Sequence, residues 1–331
     1  MASKKIIPIV AVVVVVIFIL AVVAMTQPKP IKTITQQERL NSIPSGAAKQ
    51  TPASDLFKPI MHSSLWSQPI PMVGPVNTAG AEDSPFITAN GTWFFFFFTP
   101  DVSVPAEKQL IDGVTGIWWC HKTSEGWSSP EKITLCDDVS LDGAEFVLED
   151  KMWFASIRAG NLGEIDVFTS QYEGGRWTDV QNAGQQLNVE YDIGEFHLTA
   201  DGNTMYFHSG KWAQGENMDI WTTERTASGW NTPVRVPGVN SAADDGYPFV
   251  SSDGGQLLFT SQSKLGYTGP AIYRCVLQSN GSWSAPEEIL SNFAGEATMD
   301  DAGNLYFVHH YFDSSIKMIE ADIYMCQWLG D

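Results

Sequence analysis

The sequence predicts an all-β fold, a five-bladed β-propeller closed by an N-terminal strand and preceded by a single transmembrane helix. Three observations carry that reading: two sequence markers that recur in step, a constant order of turns and aromatic strands between them, and one uncharged apolar run near the N-terminus.

The uncharged run comes first in the chain. After a short tail, residues 1–5, the segment Ile6 to Met25 reads IIPIVAVVVVVIFILAVVAM, twenty positions without a charge. At about 1.5 Å per residue a helix of this length matches the roughly 30 Å hydrocarbon core of a bilayer. Lys4 and Lys5 precede it, the arrangement of a signal sequence or signal anchor. Residues 26–61 are rich in Pro, Gln, Ser, Thr and Lys without a sustained apolar period, so a flexible stalk is expected there. The expected location is the cell membrane, single-pass, with the domain of residues 62–331 outside the cytoplasm. Cleavage of the segment would make the protein secreted.

From residue 62 the repeat decides the fold. Trp66, Trp127, Trp177, Trp230 and Trp283 recur 50 to 61 residues apart, and four of the five are followed by Pro at the third position. In step with them an acidic residue leads into Phe: Asp83 to Phe86, Asp142 to Phe146, Asp192 to Phe196 and Asp245 to Phe249, with Gly295-Glu296-Ala297 as a weaker fifth copy. Each Phe is followed by a turn and an aromatic strand such as Trp93-Phe94-Phe95-Phe96-Phe97 or Met205-Tyr206-Phe207, then by a third strand such as Asp166-Val167-Phe168 or Asp219-Ile220-Trp221. Short aromatic and β-branched runs between Gly, Asn and Asp turns are antiparallel hairpins. Four strands in about 50 residues make a propeller blade. The last repeat stops after its third strand, and the missing fourth stands at the start of the domain, Leu65 to Met72; pairing the two removes two unpaired edges.

Composition narrows the function. With 38 acidic and 19 basic residues the net charge is −19, which excludes a nucleic-acid partner that must be met by Lys and Arg. The 44% hydrophobic and 12% aromatic content supplies a full core and excludes disorder. The charge is divided: residues 1–60 carry +5 and residues 61–331 carry −24. Four cysteines without a CxxC pair exclude a zinc site and a disulfide framework. Cys120, Cys275 and Cys326 share one third-strand position, as small buried side chains do.

Asp-x-x-Pro/Glu-Phe followed by Asp-Gly, an aromatic strand, Ser156-Ile157-Arg158-Ala159-Gly160 and Asp-Ile-Tyr/Trp resembles the WD40-like, PD40-type β-propeller repeat family, which includes the propeller domain of TolB. The resemblance covers about 270 residues, matches best in the second and third repeats, and departs from the family in lacking Ser-Pro-Asp-Gly. It implies the fold and leaves function open, because such propellers serve as scaffolds and as parts of enzymes.

In this topology the start of each first strand and the loop between second and third strands meet on one face. That face is expected to gather Asp83, Asp142, Asp192 and Asp245, with Glu145, Glu195 and Glu296 at equivalent positions nearer the axis. Its loops are expected to add Arg158, His208, Lys211, Trp212, Lys264, Tyr267, His309, His310 and Tyr311. One reading is a binding module whose acidic mouth takes a protein, a glycan on Trp212 or Tyr267, or a cation such as calcium, for which no motif speaks; no other cofactor is expected. The second is a glycan-active hydrolase with Asp83, Asp142 and Glu195 as its carboxylates. Against both stands a purely structural role, in which each Asp pins its own strand through backbone hydrogen bonds or a loop cation such as Arg158. If the N-terminal strand closes the ring, deletion through residue 75 will lower the melting temperature of the whole domain; a truncated chain melting with its parent would exclude that closure.

Overall fold

The computed structural model describes residues 33–330 apart from 137, 138, 192 and 211–216. The apolar run Ile6 to Met25 lies outside the described residues, and among those described no helix is long and apolar enough to cross a membrane. The fold is all-β. Its strands form antiparallel meanders in the order the repeat predicts, each running outward from an inner first strand.

The inner strands are Ala81–Ile87, Leu141–Leu148, Phe196–Leu198, Asp245–Val250 and Ala294–Met299. Each packs beside the next, and the last packs beside the first, so the set closes on itself around one axis. The second strands, among them Trp93–Thr99 and Leu305–Phe312, are buried on both faces between neighbouring sheets, which is why Phe94, Phe95, Phe96 and Phe98 are all core. Cys120, Cys275 and Cys326 sit opposite Phe94, Leu257 and Leu305 on third strands, and all three are buried.

Proline shapes the outer strands. Pro130 and Pro233 have no N–H to donate, so the fourth strand breaks into Gly126–Trp127 and Glu131–Lys132 in one meander and into Gly229–Trp230 and Val234–Arg235 in another. The repeat around Trp177 has no such Pro, and its fourth strand runs unbroken over Arg176–Asn182. The last meander is completed from the other end of the chain: Ile70 and Pro71 pair with Met325 and Tyr324, and Trp66 bridges Trp328 with the rings 5.0 Å apart.

Residues 33–61 differ from the flexible stalk expected of them. The helix Gln36–Ser42 begins with a capping box between Thr35 and Glu38. Its Arg39 is wholly buried, 2.5 Å from Glu82 and 2.8 Å from the Val76 carbonyl, with Phe98 and Phe96 under the guanidinium at 4.3 and 4.9 Å. Lys49 bridges Glu320 and Asp322, Asp55 meets buried His309 at 2.9 Å, and Ile60–Met61 adds a strand to Glu287–Ser291. The segment thus straps three adjacent meanders. Its anchors are buried charges, which leave no apolar period in the sequence.

Removing one partner of a buried pair strands the other without water. Arg39→Ala leaves Glu82 with only the Thr78 donors and is expected to destabilise the domain by about 3–5 kcal/mol, measured by urea denaturation. A loss no larger than that of an exposed Arg would show that the pair does not hold the strap.

Candidate functional site

Regular alternation would send only every second residue of an inner strand toward the axis. A bulge breaks that rule in four of the five inner strands: the register of the ladder slips between Asp83 and Phe86, Gly143 and Phe146, Gly246 and Phe249, and Gly295 and Thr298. Within it Ser84, Ala144, Tyr247 and Glu296 adopt left-handed φ values of 44°, 51°, 54° and 52°. Successive residues of one strand then face the axis together, the re-aiming that bulges provide beside functional sites.

The result is a cavity of about 710 Å³ on the axis, with Asp83, Asp142, Glu195, His208, Tyr247 and Glu296 in its wall. Phe86, Phe146, Phe196 and Phe249 close the axis below, with His197 among them at 4.5 Å from the rings of Phe146 and Phe249. His197 is thereby kept neutral, its pKa lowered by burial to about 3.

The acidic groups of this cavity differ in protonation. Burial alone would raise Asp83, yet His310, with Nε2 at 3.2 Å, and the Ser84 N–H at 2.9 Å outweigh it and hold the carboxyl below its ordinary value. The same pairing raises His310 against its own burial. Glu195 is pushed up to about 8, first by burial and then by the charges of Asp83 and Glu145. Glu296 also lies well above its ordinary range through burial, Asp83 and Glu195, and it accepts from Ser84 Oγ at 2.8 Å. Burial lifts Glu145 to about 8; it is 5% exposed, and neither carboxyl oxygen has a hydrogen-bond partner on another described residue. The two ring nitrogens of His208 face the N–H groups of Glu195 and Tyr247 at 3.2 and 3.1 Å. The neutral ring accepts from only one of them, because its other nitrogen carries the proton; a second proton would leave it no acceptor, and burial already lowers this imidazole to about 4.

The bulge also corrects the alignment of the acids. Asp142 pairs with Ser156 and Asp245 with Ser261, and their counterpart in the first meander is Glu82 opposite Phe98, so Asp83 stands one position further along. Glu82, Asp142 and Asp245 are each engaged by partners of their own: Glu82 holds Arg39, Asp142 accepts from Arg158 and Ser156 at 2.6 Å each, and Asp245 accepts from Ser241. Glu296 shares the left-handed position of Ser84, Ala144 and Tyr247, whereas Glu145 follows that position, so the two are not equivalent. Arg158, expected at the mouth, lies on Asp142 over the rings of Phe154 and Phe168.

Tyr267 stands outside the axial cavity, 37% exposed beside His62 at 5.2 Å. His309 and Tyr311 are buried against Asp55 and against Asp322 and Tyr324, and the backbone of Lys264 is tied to Glu288. Asp192, Lys211 and Trp212 lie outside the described residues. Among the described residues, no group of three His, Cys, Asp or Glu side chains is placed to hold a metal ion. Sequence reading missed Tyr247, and it placed Asp83 and His310 on one face without pairing them. The signal for Tyr247 was the left-handed bulge, which shows only in the backbone.

The raised Glu145 has a consequence for stability. The folded state keeps a proton that the unfolded chain releases above about 4.5, so this group's contribution is complete below that pH and is lost as pH rises through about 8. The disadvantage grows by about 1.4 kcal/mol per pH unit across that window. Glu145→Gln, which has no proton to lose, is expected to melt above the parent at pH 8 and close to it at pH 5. An equal difference at both pH values would show that Glu145 titrates normally.

No family model matches the chain, and no curated protein matches it. The solved structures similar to it include the native arabinanase Arb43A of Bacillus subtilis, at 11% identity and TM-score 0.42 over 75% of this chain and 95% of that one. A GH43_12 protein retrieved from a capybara gut metagenome is similar at 13% identity and TM-score 0.48, over 81% of this chain and 56% of that one. Trypanosoma rangeli sialidase in complex with the inhibitor DANA is similar at 10% identity and TM-score 0.40, over 76% and 55%. Similarity at this level assigns no residue a role. The expected membership of the WD40-like, PD40-type, TolB-like repeat family is corrected: no model of that family matches the chain. The Asp-Gly turns and aromatic strands that suggested it are what any buried antiparallel meander requires, so they do not single out one propeller family.

Proposed function

We propose that the five meanders are the blades of a five-bladed propeller and that its axial cavity hydrolyses a glycosidic bond. The observation that carries this reading is a pair of neighbouring carboxyls biased in opposite directions within one cavity: Asp83 held ionised by His310, and Glu195 held protonated by burial and by Asp83 itself. Glycoside hydrolysis needs that division of labour. One carboxylic acid protonates the leaving oxygen, and one carboxylate activates water or attacks the sugar. In this assignment Glu195 is the general acid and Asp83 the carboxylate. Asp142, the third member expected from the sequence, is committed to Arg158 and has no part in proton transfer. A purely binding role leaves the opposed protonation without a use. The uncharged run Ile6 to Met25 supports a membrane anchor that holds the domain outside the cytoplasm.

The test is a panel of aryl glycosides assayed between pH 4 and 9. Turnover of at least one is expected, with an acidic limb set by Asp83 and a basic limb near pH 8 set by Glu195. Asp83→Asn and Glu195→Gln are each expected to lower kcat by about 10²–10⁴-fold with the fold retained by circular dichroism. No turnover across the panel, or variants as active as the parent, would overturn the assignment.

A further inference from the structure

A narrow extension of about 50 Å³ continues from the axial cavity toward the aromatic floor, sharing Glu195, Tyr247 and Glu296 with the space above. Glu145 joins it from the side, and Phe86, Phe196 and Phe249 lie beneath. A cavity needs only about 10–15 Å³ of solvent-accessible volume to hold a water molecule, so the extension has room for a small polar group. The two oxygens of Glu145 have no partner on another described residue, and a native structure rarely leaves such buried polar atoms unsatisfied.

The chemistry of that group follows from its surroundings. Among the described residues lining the two spaces there is no Lys or Arg. A carboxylated sugar would bring a second anion beside the ionised Asp83. A hydroxyl would leave Glu145 protonated, whereas a cation lets this carboxyl, which has no partner on another described residue, release its proton to solvent and pair as a carboxylate. An ammonium donates three times, carries the opposite charge and finds aromatic rings on its remaining side.

We propose that this extension is an ammonium site, and that the glycan taken by the cavity carries a free amino group, as a deacetylated amino sugar does. The substrate class rests on the glycoside-hydrolase reading; the ammonium site itself rests on Glu145 and its aromatic floor.

The test is titration calorimetry on the full-length chain at constant ionic strength, with methylammonium, glucosamine, glucose and glucuronate as probes. Methylammonium is expected to bind, and glucosamine to bind at least tenfold more tightly than glucose or glucuronate. Glu145→Gln is expected to remove that preference while leaving glucose unchanged, and Glu296→Gln gives a second reading on an independent strand. Glucose or glucuronate binding as tightly as glucosamine would overturn the ammonium site and leave the hydrolase reading standing. Methylammonium binding that Glu145→Gln abolishes, without any sugar binding or aryl-glycoside turnover, would uphold the ammonium site and overturn the hydrolase reading. Silence of methylammonium and glucosamine alike, or their displacement by calcium chloride at a lower concentration, would overturn the proposal.

Discussion

The structure depends on crowding at one axis, where the inner strands of all the meanders meet. Backbones that converge so closely cannot keep simple alternation and still fill the space between them. Four of them resolve the conflict with a left-handed residue, Ser84, Ala144, Tyr247 or Glu296. A non-glycine residue in that region costs about 1–3 kcal/mol, which the packed second and third strands on either side over-determine. The strain has a chemical product: it turns consecutive side chains inward, so that carboxyls from separate repeats share one cavity above a floor of phenylalanines.

Burial at that axis divides acids that look alike in the sequence. Asp83 has His310 and a backbone N–H to oppose its desolvation, whereas Glu145 has neither and Glu195 has the Asp83 charge against it. Asp142 and Asp245 lie close by, but each is occupied by groups of its own repeat, Arg158 or Ser241. The structural reading of the repeated acids therefore describes Glu82, Asp142 and Asp245, and the chemical reading is left to Asp83, Glu195 and their neighbours.

The ring is held from outside by the chain's own N-terminal part. Ile70 and Pro71 complete the last sheet, and residues 33–61 cross three meanders through the strand Ile60–Met61 and the charges of Arg39, Lys49 and Asp55. Each of these charges is buried or half-buried against an opposite one on a strand. Such contacts lose more when one partner is removed than they gain over apolar packing, which makes the strap specific in register.

The sequence by itself determined the meander order, the strand positions and the completion of the last sheet by Leu65 to Met72. All of these follow from local pattern, turn chemistry and the need to pair an open edge. It also brought Asp83, Glu145, Glu195 and Glu296 into view as acids of one face. Only the tertiary structure decided which of them keeps a proton, that Glu82 and not Asp83 aligns with Asp142, and that the polar stretch after Lys32 is packed. Those outcomes turn on a one-residue bulge and on partners more than 200 positions away, His310 for Asp83 and His309 for Asp55. No local period records a contact of that kind, because its energy arises from charges that meet only after the ring has closed.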